Sequence, residues 1–298
     1  MTLIPDDDPA SVPPVTRHVV CTHPGGLHRM AYHVREPAPE RDNGRTVVCV
    51  HGLTRNGRDF DVLAGELAAR GYRVVCPDLV GRGGSNYLDD PAHYHVGQYV
   101  RDCVTLIARL DVERVDWVGT SLGGLVAMTL ASLPGQPIER LVINDIGPEV
   151  EPAGLDRIRG YVGDTVVHPD FETAEAALRR IMTSFGPHDA AAFRHLSRHH
   201  FMDVPGGGLT AHYDPTIAVA LQAVGSEGLP SLWALWEAIE VPVLVVRGAQ
   251  SDILSAATLA RMKGCGPGCE AVEFERVGHA PTLVTEDQVA AVVAWLEG

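Results

Sequence analysis

One serine, one histidine and two competing aspartates have the residue types and the chain order of a nucleophilic catalytic site. Ser121 is the centre of Gly119-Thr120-Ser121-Leu122-Gly123, between an apolar strand-like run over 115–118 and a helical pattern over 122–132. A serine on so sharp a strand-to-helix turn needs glycine two positions before and two after it, because side chains there would obstruct the turn. The turn also puts the hydroxyl at a helix N-terminus, where developing negative charge is favoured. The pattern therefore predicts Ser121 as a nucleophile.

The general base is expected after the nucleophile, on a loop that follows a strand. His279 meets this condition, since it lies between a strand-like run over 272–274 and the final helical pattern. An imidazole has an unperturbed pKa of about 6.5, so it can accept and return a proton near neutral pH. Asp252, which follows the run over 241–246, is the predicted carboxylate that orients His279, because it gives the order Ser, Asp, His. Asp145, at the end of the run over 141–145, is the alternative acid.

An acyl-transfer site also needs two backbone N–H groups aimed at the developing oxyanion. We predict the amide of Leu122, directly after the nucleophile, as one donor. The other is the amide of Leu53, in the His51-Gly52-Leu53 loop that follows the run over 46–50. Gly52 allows the backbone to come close to a ligand there. His51 itself is interpreted as a structural residue that shapes this loop.

Three weaker patterns could bind an ion or a substrate. His195 and His199 share a helical face with metal-ligand spacing, but no glutamate of the metalloprotease type accompanies them, so a packed or solvated face is favoured. Arg55 and Arg58 follow the predicted oxyanion loop and could hold a substrate carboxylate. Four aromatic residues could line an acyl pocket, although the core is favoured for most of them: Phe185, Phe201, Trp233 and Trp236. We predict no metal site and no bound cofactor.

The elements that must position these residues alternate along the chain. Short apolar runs rich in β-branched residues, as at 46–50 and 241–246, are typical of strands buried on both faces of a parallel sheet. Helical patterns separate them, and this alternation predicts an α/β fold with a mostly parallel sheet. The rhythm breaks between about Pro148 and Pro230, where helical segments occur without a convincing buried strand. Four segments follow from this pattern: an N-terminal arm over 1–16, a core over 17–147 and 231–298, and a helical cap insertion over 148–230.

Composition excludes several classes of protein. The 298 residues carry 24 Lys and Arg against 38 Asp and Glu, a net charge of -14, which disfavours nucleic acid and anionic membranes as partners. Lys263 is the only lysine, so no phosphate-binding Gly-x-x-x-x-Gly-Lys loop is present. No apolar run is long enough for a transmembrane helix. The N-terminal residues have no secretory signal pattern, which predicts a cytoplasmic protein.

These motifs together resemble the α/β-hydrolase superfamily, specifically bacterial hydrolases and esterases that have a serine nucleophile and a helical cap. The resemblance runs from about residue 17 to 298 and includes His51-Gly52, the segment 77–85, the Ser121 motif, the segment 248–252 and Gly278-His279. It implies an eight-stranded, mostly parallel sheet flanked by helices, with the cap inserted after the sixth strand, and it implies no cofactor. Related haloalkane dehalogenases and epoxide hydrolases have aspartate where Ser121 stands, so both activities are disfavoured.

The resulting prediction is a serine hydrolase that cleaves a small-molecule carboxylic ester through an acyl-enzyme. Two alternatives stay open. One is a hydrolase of carbon–carbon bonds in ring-cleavage products, and the other is a non-catalytic receptor for a small ligand on the same fold.

Overall fold

The computed structural model describes residues 13–223 and 229–298. Most of the predicted N-terminal arm, residues 1–12, lies outside the described residues. The last part of that arm does not remain a loop, because the first strand, β1, already begins at Val15.

Eight strands form one sheet in the order β1-β2-β4-β3-β5-β6-β9-β10. The pairs β1–β2 and β2–β4 are antiparallel, and all the other neighbouring pairs are parallel. The central strands are buried over their whole length, as a sheet covered by helices on both faces requires. The strands are β1 (Val15–His23), β2 (Gly26–Arg35), β3 (Thr46–Val50), β4 (Arg73–Pro77), β5 (Val115–Thr120), β6 (Ile138–Asn144), β9 (Val243–Gly248) and β10 (Glu270–Phe274).

Five helices of the core cover the two faces of this sheet. Helix α2 is amphipathic and turns one apolar stripe to the sheet, whereas α3 is buried on nearly all sides because it packs against both the sheet and α2. Thr285 directly precedes α10, and its hydroxyl donates to Asp287 instead of capping the helix. The helices are α1 (Asp61–Ala69), α2 (Val96–Leu110), α3 (Leu122–Ala131), α9 (Ala256–Gly264) and α10 (Glu286–Glu297).

The segment between β6 and β9 is mostly helical and covers the carboxyl ends of the central strands. Its elements are α4 (Pro152–Arg159), α5 (Phe171–Ile181), α6 (Ala190–His200), β7 (Phe201–Asp203), β8 (Leu209–Ala211), α7 (Ile217–Ala223) and α8 (Trp233–Glu237). Residues of α5, α6 and the β7–β8 hairpin form a hydrophobic cluster of their own. We call the segment 148–230 the cap, with the boundaries that the sequence suggested.

Two β-hairpins were not expected from the sequence. The strands β1 and β2 form one of them. They contain so many histidines and arginines, including the buried His28 and His33, that no apolar alternation stands out in the sequence. The other joins β7 and β8, whose three residues each are too few to give a period. Among the residues that the structure describes, no helix is long and apolar enough to cross a membrane.

Candidate active site

Ser121, His279 and Asp145 form a continuous chain of hydrogen bonds at the carboxyl edge of the sheet. The Oγ atom of Ser121 lies 2.9 Å from Nε2 of His279. On the other side of the ring, Nδ1 of His279 lies 2.8 Å from Oδ2 of Asp145. An ionised carboxylate only accepts hydrogen bonds, so Nδ1 carries the proton and Nε2 is free to accept one from the serine hydroxyl. This arrangement can activate a serine for attack on a carbonyl carbon.

The turn at Ser121 has the steric character that its sequence suggested. Its backbone has φ 51° and ψ -111°, a conformation that residues other than glycine rarely adopt. A Cβ atom on Gly119 would collide with the backbone of Gly123, and one on Gly123 would collide with the carbonyl group of Val50. The two glycines therefore allow α3 to start directly against the ends of β5 and β3, with the Ser121 side chain in the cavity.

Asp145 is held by the core of the protein on every side. Its side chain is fully buried. Its Oδ1 accepts a hydrogen bond from the amide of Gly248 at 3.0 Å, and its Oδ2 accepts one from the hydroxyl of Ser251 at 2.7 Å. The residue adopts φ 57°, a left-handed conformation that aspartate tolerates better than most residues. Together with His279, these donors satisfy a buried carboxylate in one orientation.

Asp252 does not contact His279, and this corrects the preference for Asp252 as the orienting carboxylate. Its two oxygens accept hydrogen bonds from Nε and Nη2 of Arg157 in α4, at 2.6 Å and 2.8 Å. The hydrogen bonds and charge of Arg157 outweigh burial and lower the pKa of Asp252. The order Ser, Asp, His holds for Asp145 as well, and β6 and β9 are neighbours in the sheet. Chain order therefore could not distinguish the two acids, and the alternative acid is the one in contact with the imidazole.

A buried asparagine that the sequence analysis missed links the three loops of the site. Nδ2 of Asn144 donates to the carbonyl of Pro281 at 2.7 Å and to the hydroxyl of Thr120 at 3.0 Å. The Asn144 carbonyl accepts a hydrogen bond from the amide of Ser121 at 2.9 Å. One side chain thus ties the serine turn and the histidine loop to the end of β6. Its place directly before Asp145, at the carboxyl end of a strand, was the only available signal.

The Gly52 loop lies directly beside the serine turn. A Cβ atom on Gly52 would be 3.7 Å from Cβ of Ser121. Within the described part of the chain, neither the amide of Leu53 nor that of Leu122 has a hydrogen-bond acceptor. Both predicted oxyanion donors therefore have an N–H group that a substrate oxygen can use.

Two buried side chains fix the orientation of the Gly52 loop. Nδ1 of His51 lies 2.7 Å from the Gly52 carbonyl, which shares a peptide unit with the amide of Leu53. Nε2 of His51 accepts a hydrogen bond from the amide of Leu79, and burial lowers the pKa of His51 to about 4. Nε of the buried Arg82 donates to the Leu53 carbonyl at 2.8 Å. His51 is thus a neutral structural residue, as interpreted from the sequence, whereas the contribution of Arg82 was not foreseen.

The cap encloses a cavity of about 390 Å³ above Ser121 and His279. Its walls are mostly apolar, and Phe185 of the cap makes an edge-to-face contact with His279 at 6.4 Å between ring centroids. Phe185 and Phe201 line this cavity, whereas Trp233 and Trp236 are buried in the core and do not. The space suits a small substrate with an apolar body.

Two residues next to the Gly52 loop hold the cap against the core. Nη2 of Arg55 donates to the carbonyl of Leu196 in α6 at 2.9 Å. Nδ2 of Asn56 donates to the carbonyl of His199, in the same helix, at 2.6 Å. The chain that supplies a predicted oxyanion amide is therefore also the chain that anchors α6.

The histidine pair of α6 packs onto the core instead of facing solvent. His195 and His199 lie beside Asp61, a grouping with the spacing of metal ligands. Arg58, however, donates to both carboxylate oxygens of Asp61 at 3.0 Å and 2.8 Å through Nε. Burial first, and the charge of Arg58 next, lower the pKa of His199 to about 2. A guanidinium in this position opposes a cation, so the packed-face interpretation fits the geometry better than a metal site.

Comparison with known proteins now identifies the family. A family model described as "Alpha/beta hydrolase family" matches residues 47–295. The chain belongs to the α/β-hydrolase family. It is 48% identical over 296 residues to a 3-hydroxybutyrate-oligomer hydrolase from Cupriavidus necator, with 97% of this chain and 99% of that protein covered. A 2-(acetamidomethylene)succinate hydrolase from Mesorhizobium japonicum is 29% identical, with 85% and 86% covered.

A solved α/β-hydrolase structure from Novosphingobium aromaticivorans superposes with a TM-score of 0.85 at 38% identity, covering 97% of this chain and 99% of that one. The predicted fold class and family resemblance are confirmed, and so is the prediction that the protein is a hydrolase.

Proposed function

We propose that this α/β hydrolase cleaves carboxylic esters through Ser121, His279 and Asp145, and that its substrate is a short oligoester of a hydroxy acid such as 3-hydroxybutyrate. The observation that carries the mechanism is the unbroken chain of hydrogen bonds from the Ser121 hydroxyl through His279 to the buried Asp145. The relative that is 48% identical over nearly its whole length supports the substrate class. A mostly apolar cavity over the serine is consistent with a small ester.

In the first half-reaction, Oγ of Ser121 attacks the acyl carbon while Nε2 of His279 takes the hydroxyl proton. The amides of Leu53 and Leu122 stabilise the negative charge that develops on the carbonyl oxygen. The carbon–oxygen bond to the alcohol then breaks, and His279 returns its proton to the leaving oxygen. Asp145 stays ionised throughout and stabilises the imidazolium.

In the second half-reaction, water attacks the acyl-enzyme, and His279 takes a proton from that water. The tetrahedral species collapses with release of the acid, and the proton returns to Oγ of Ser121. The two half-reactions together consume one ester and one water, and water is the only co-reactant.

The test compares Ser121→Ala with the wild-type protein on short p-nitrophenyl esters and on linear 3-hydroxybutyrate dimer and trimer. We expect a loss of turnover of at least about 10³-fold, because the remaining groups can only orient water. Ser132→Ala is the matched control, since Ser132 lies at the other end of α3 and its hydroxyl bonds to the Thr129 carbonyl. A fluorophosphonate probe should label Ser121 in the wild-type and control proteins.

Other outcomes would change the assignment. Unchanged turnover in Ser121→Ala would contradict the mechanism. Faster hydrolysis of a ring-cleavage diketone than of any ester would favour the carbon–carbon hydrolase, and saturable ligand binding without turnover would favour the receptor.

A further inference from the structure

Two arginines line the cavity above the candidate active site, and they differ in what surrounds them. Arg55 is already paired, since its Nε donates to Asp59 at 2.8 Å and its Nη2 to the Leu196 carbonyl at 2.9 Å. Its charge is therefore compensated by Asp59, although its buried Nη1 has no hydrogen-bond partner among the described residues. The sequence suggested Arg55 and Arg58 as ligands of a substrate carboxylate, but each is occupied by an aspartate of its own.

Arg180 is different. It lies in the last turn of α5, is exposed to solvent and forms part of the cavity wall. Over the described ranges, no carboxylate lies within 4 Å of its guanidinium. The preceding residue, Arg179, instead pairs with Glu175 and stacks over the ring of Phe193. The two adjacent arginines of α5 therefore differ: Arg179 is paired with a carboxylate, and Arg180 is not.

The wall next to Arg180 combines a cation with exposed apolar side chains. Val166 and Ile181 also line the cavity, although 57% and 39% of their surfaces are exposed. His168 lies close enough that the charge of Arg180, after burial, lowers its pKa. Asp164 also lines the cavity, and among the residues that the structure describes no ion pair joins it to Arg180. Next to Arg180 the rim is therefore apolar, and within the described ranges its guanidinium is not paired with a carboxylate.

We propose that Arg180 binds the free carboxylate of an acid-terminated ester substrate while the apolar rim holds the chain between that carboxylate and the scissile bond. The inference rests on the proposed function, which it makes more specific. In a linear oligomer of a hydroxy acid, the alcohol side of each ester bond carries the free carboxyl end. Arg180 therefore holds the leaving-group side of the substrate, while Ser121 attacks the acyl side. A guanidinium suits this task because it donates two parallel hydrogen bonds to a carboxylate.

The experiment compares 3-hydroxybutyrate dimer as the free acid with its methyl ester, which removes the charge. Because the methyl ester is itself a second cleavable ester, only cleavage of the bond between the two units is followed, by chromatography of the products. Steady-state kinetics are measured for wild type, Arg180→Gln, Arg180→Lys and Arg179→Gln. For Arg180→Gln we expect KM on the free acid to rise by on the order of tenfold, with kcat little changed. The methyl ester should be hydrolysed as by wild type, which also shows that the variant is folded. Arg180→Lys should recover part of the lost affinity, since it keeps the charge without the planar fork.

Arg179→Gln should leave the ratio of acid to methyl ester unchanged, because Arg179 is engaged within α5. An equal change on both substrates in Arg180→Gln, or no change on either, would overturn the inference. If wild type hydrolyses p-nitrophenyl esters but neither form of the dimer, the proposed oligoester substrate fails. The same variants are then compared on 3-acetoxybenzoate, whose carboxylate is on the leaving group as the proposal requires, and on phenyl acetate, which has no carboxylate. Loss of the preference for the acid in Arg180→Gln would still support the carboxylate site, and an unchanged preference would reject it.

Discussion

The ends of β6 and β9 are adjacent in the sheet, yet the aspartates that follow them have opposite environments. Asp145 after β6 is fully buried and bonds only to groups of the core. Asp252 after β9 keeps 35% of its side chain exposed and bonds to Arg157 of the cap. Ser251, directly before Asp252, donates to Asp145 and so supports the other acid. Two neighbouring loops can therefore offer the same chemical group, and its hydrogen-bond partners decide what it does.

The largest expected effect comes from removing the charge of Asp145. Asp145→Asn should lower kcat on esters by about 10³- to 10⁴-fold, because an amide can neither fix the tautomer of His279 nor stabilise its imidazolium. Single-turnover and steady-state rates measure this loss. Asp252→Asn is the matched variant on the neighbouring loop, and it should change kcat less than about threefold, since its partner is Arg157. A larger loss in Asp252→Asn than in Asp145→Asn would reverse the comparison.

A smaller effect is expected at Ser251, which supports Asp145 without contacting the reacting atoms. Ser251→Ala removes one hydrogen bond to a carboxylate, so kcat should fall by on the order of tenfold while KM changes little. Ser255→Ala serves as the control, because Ser255 caps α9 by accepting from Thr258 and does not bond to Asp145. Urea unfolding of both variants separates stability from catalysis. An equal fall in kcat in the two variants would show that Ser251 has no specific role in supporting Asp145.

His51 tests whether the orientation of the Gly52 loop matters to the rate. His51→Gln loses the ring that bonds both to the Gly52 carbonyl and to the amide of Leu79. We expect kcat to fall severalfold, because the amide of Leu53 is then less fixed towards the oxyanion. The pH–rate profile should keep its shape, since the pKa of His51 is lowered to about 4 and the residue does not titrate near neutral pH. A shifted profile would mean that His51 exchanges protons in the reaction.

The smallest expected effect concerns the stability that Asp252 contributes. Arg157 lowers the pKa of Asp252 in the folded protein below its usual value of 3.8. The ion pair therefore stabilises the fold above about pH 4, and this contribution is lost as pH falls through the lowered value. Because the pair is partly exposed and screened, Asp252→Asn should cost only about 0.5–1 kcal/mol at pH 7. Urea titrations at pH 7 and pH 3 measure the difference in the free energy of unfolding between wild type and Asp252→Asn. We expect this difference to be smaller at pH 3, and a larger difference at pH 3 would contradict the prediction.

The sequence predicted the parts of the fold and site that depend on local patterns. Buried strands such as β3 are continuous apolar runs, and the serine turn requires its two flanking glycines for steric reasons. His279 could be selected because it combines a position after β10 with the correct chain order. Each of these signals lies within a few residues of the feature that it predicts.

What the sequence did not predict depends on partners that are distant along the chain. Asp252 is committed to Arg157, 95 residues earlier, and nothing near either residue indicates the pairing. Arg82 reaches the Leu53 carbonyl from a loop that looks like an ordinary glycine-rich turn. The sequence suggested that Arg55 and Arg58 could bind a substrate carboxylate. In the structure each forms an ion pair with an aspartate of the protein. The direction of each side chain decides which partner it contacts, and the spacing of residues along the sequence does not give that direction.

The anchoring of α6 by Arg55 and Asn56 has a mechanical consequence. Both anchors follow Leu53 within three residues, and both hold carbonyl groups of the same cap helix. Any motion that lifts α6 must first break these bonds, and it then pulls on the segment that carries a proposed oxyanion donor. Displacement of α6 would therefore also strain the backbone next to Leu53, so these two bonds make the α6 side of the cap the more firmly held side.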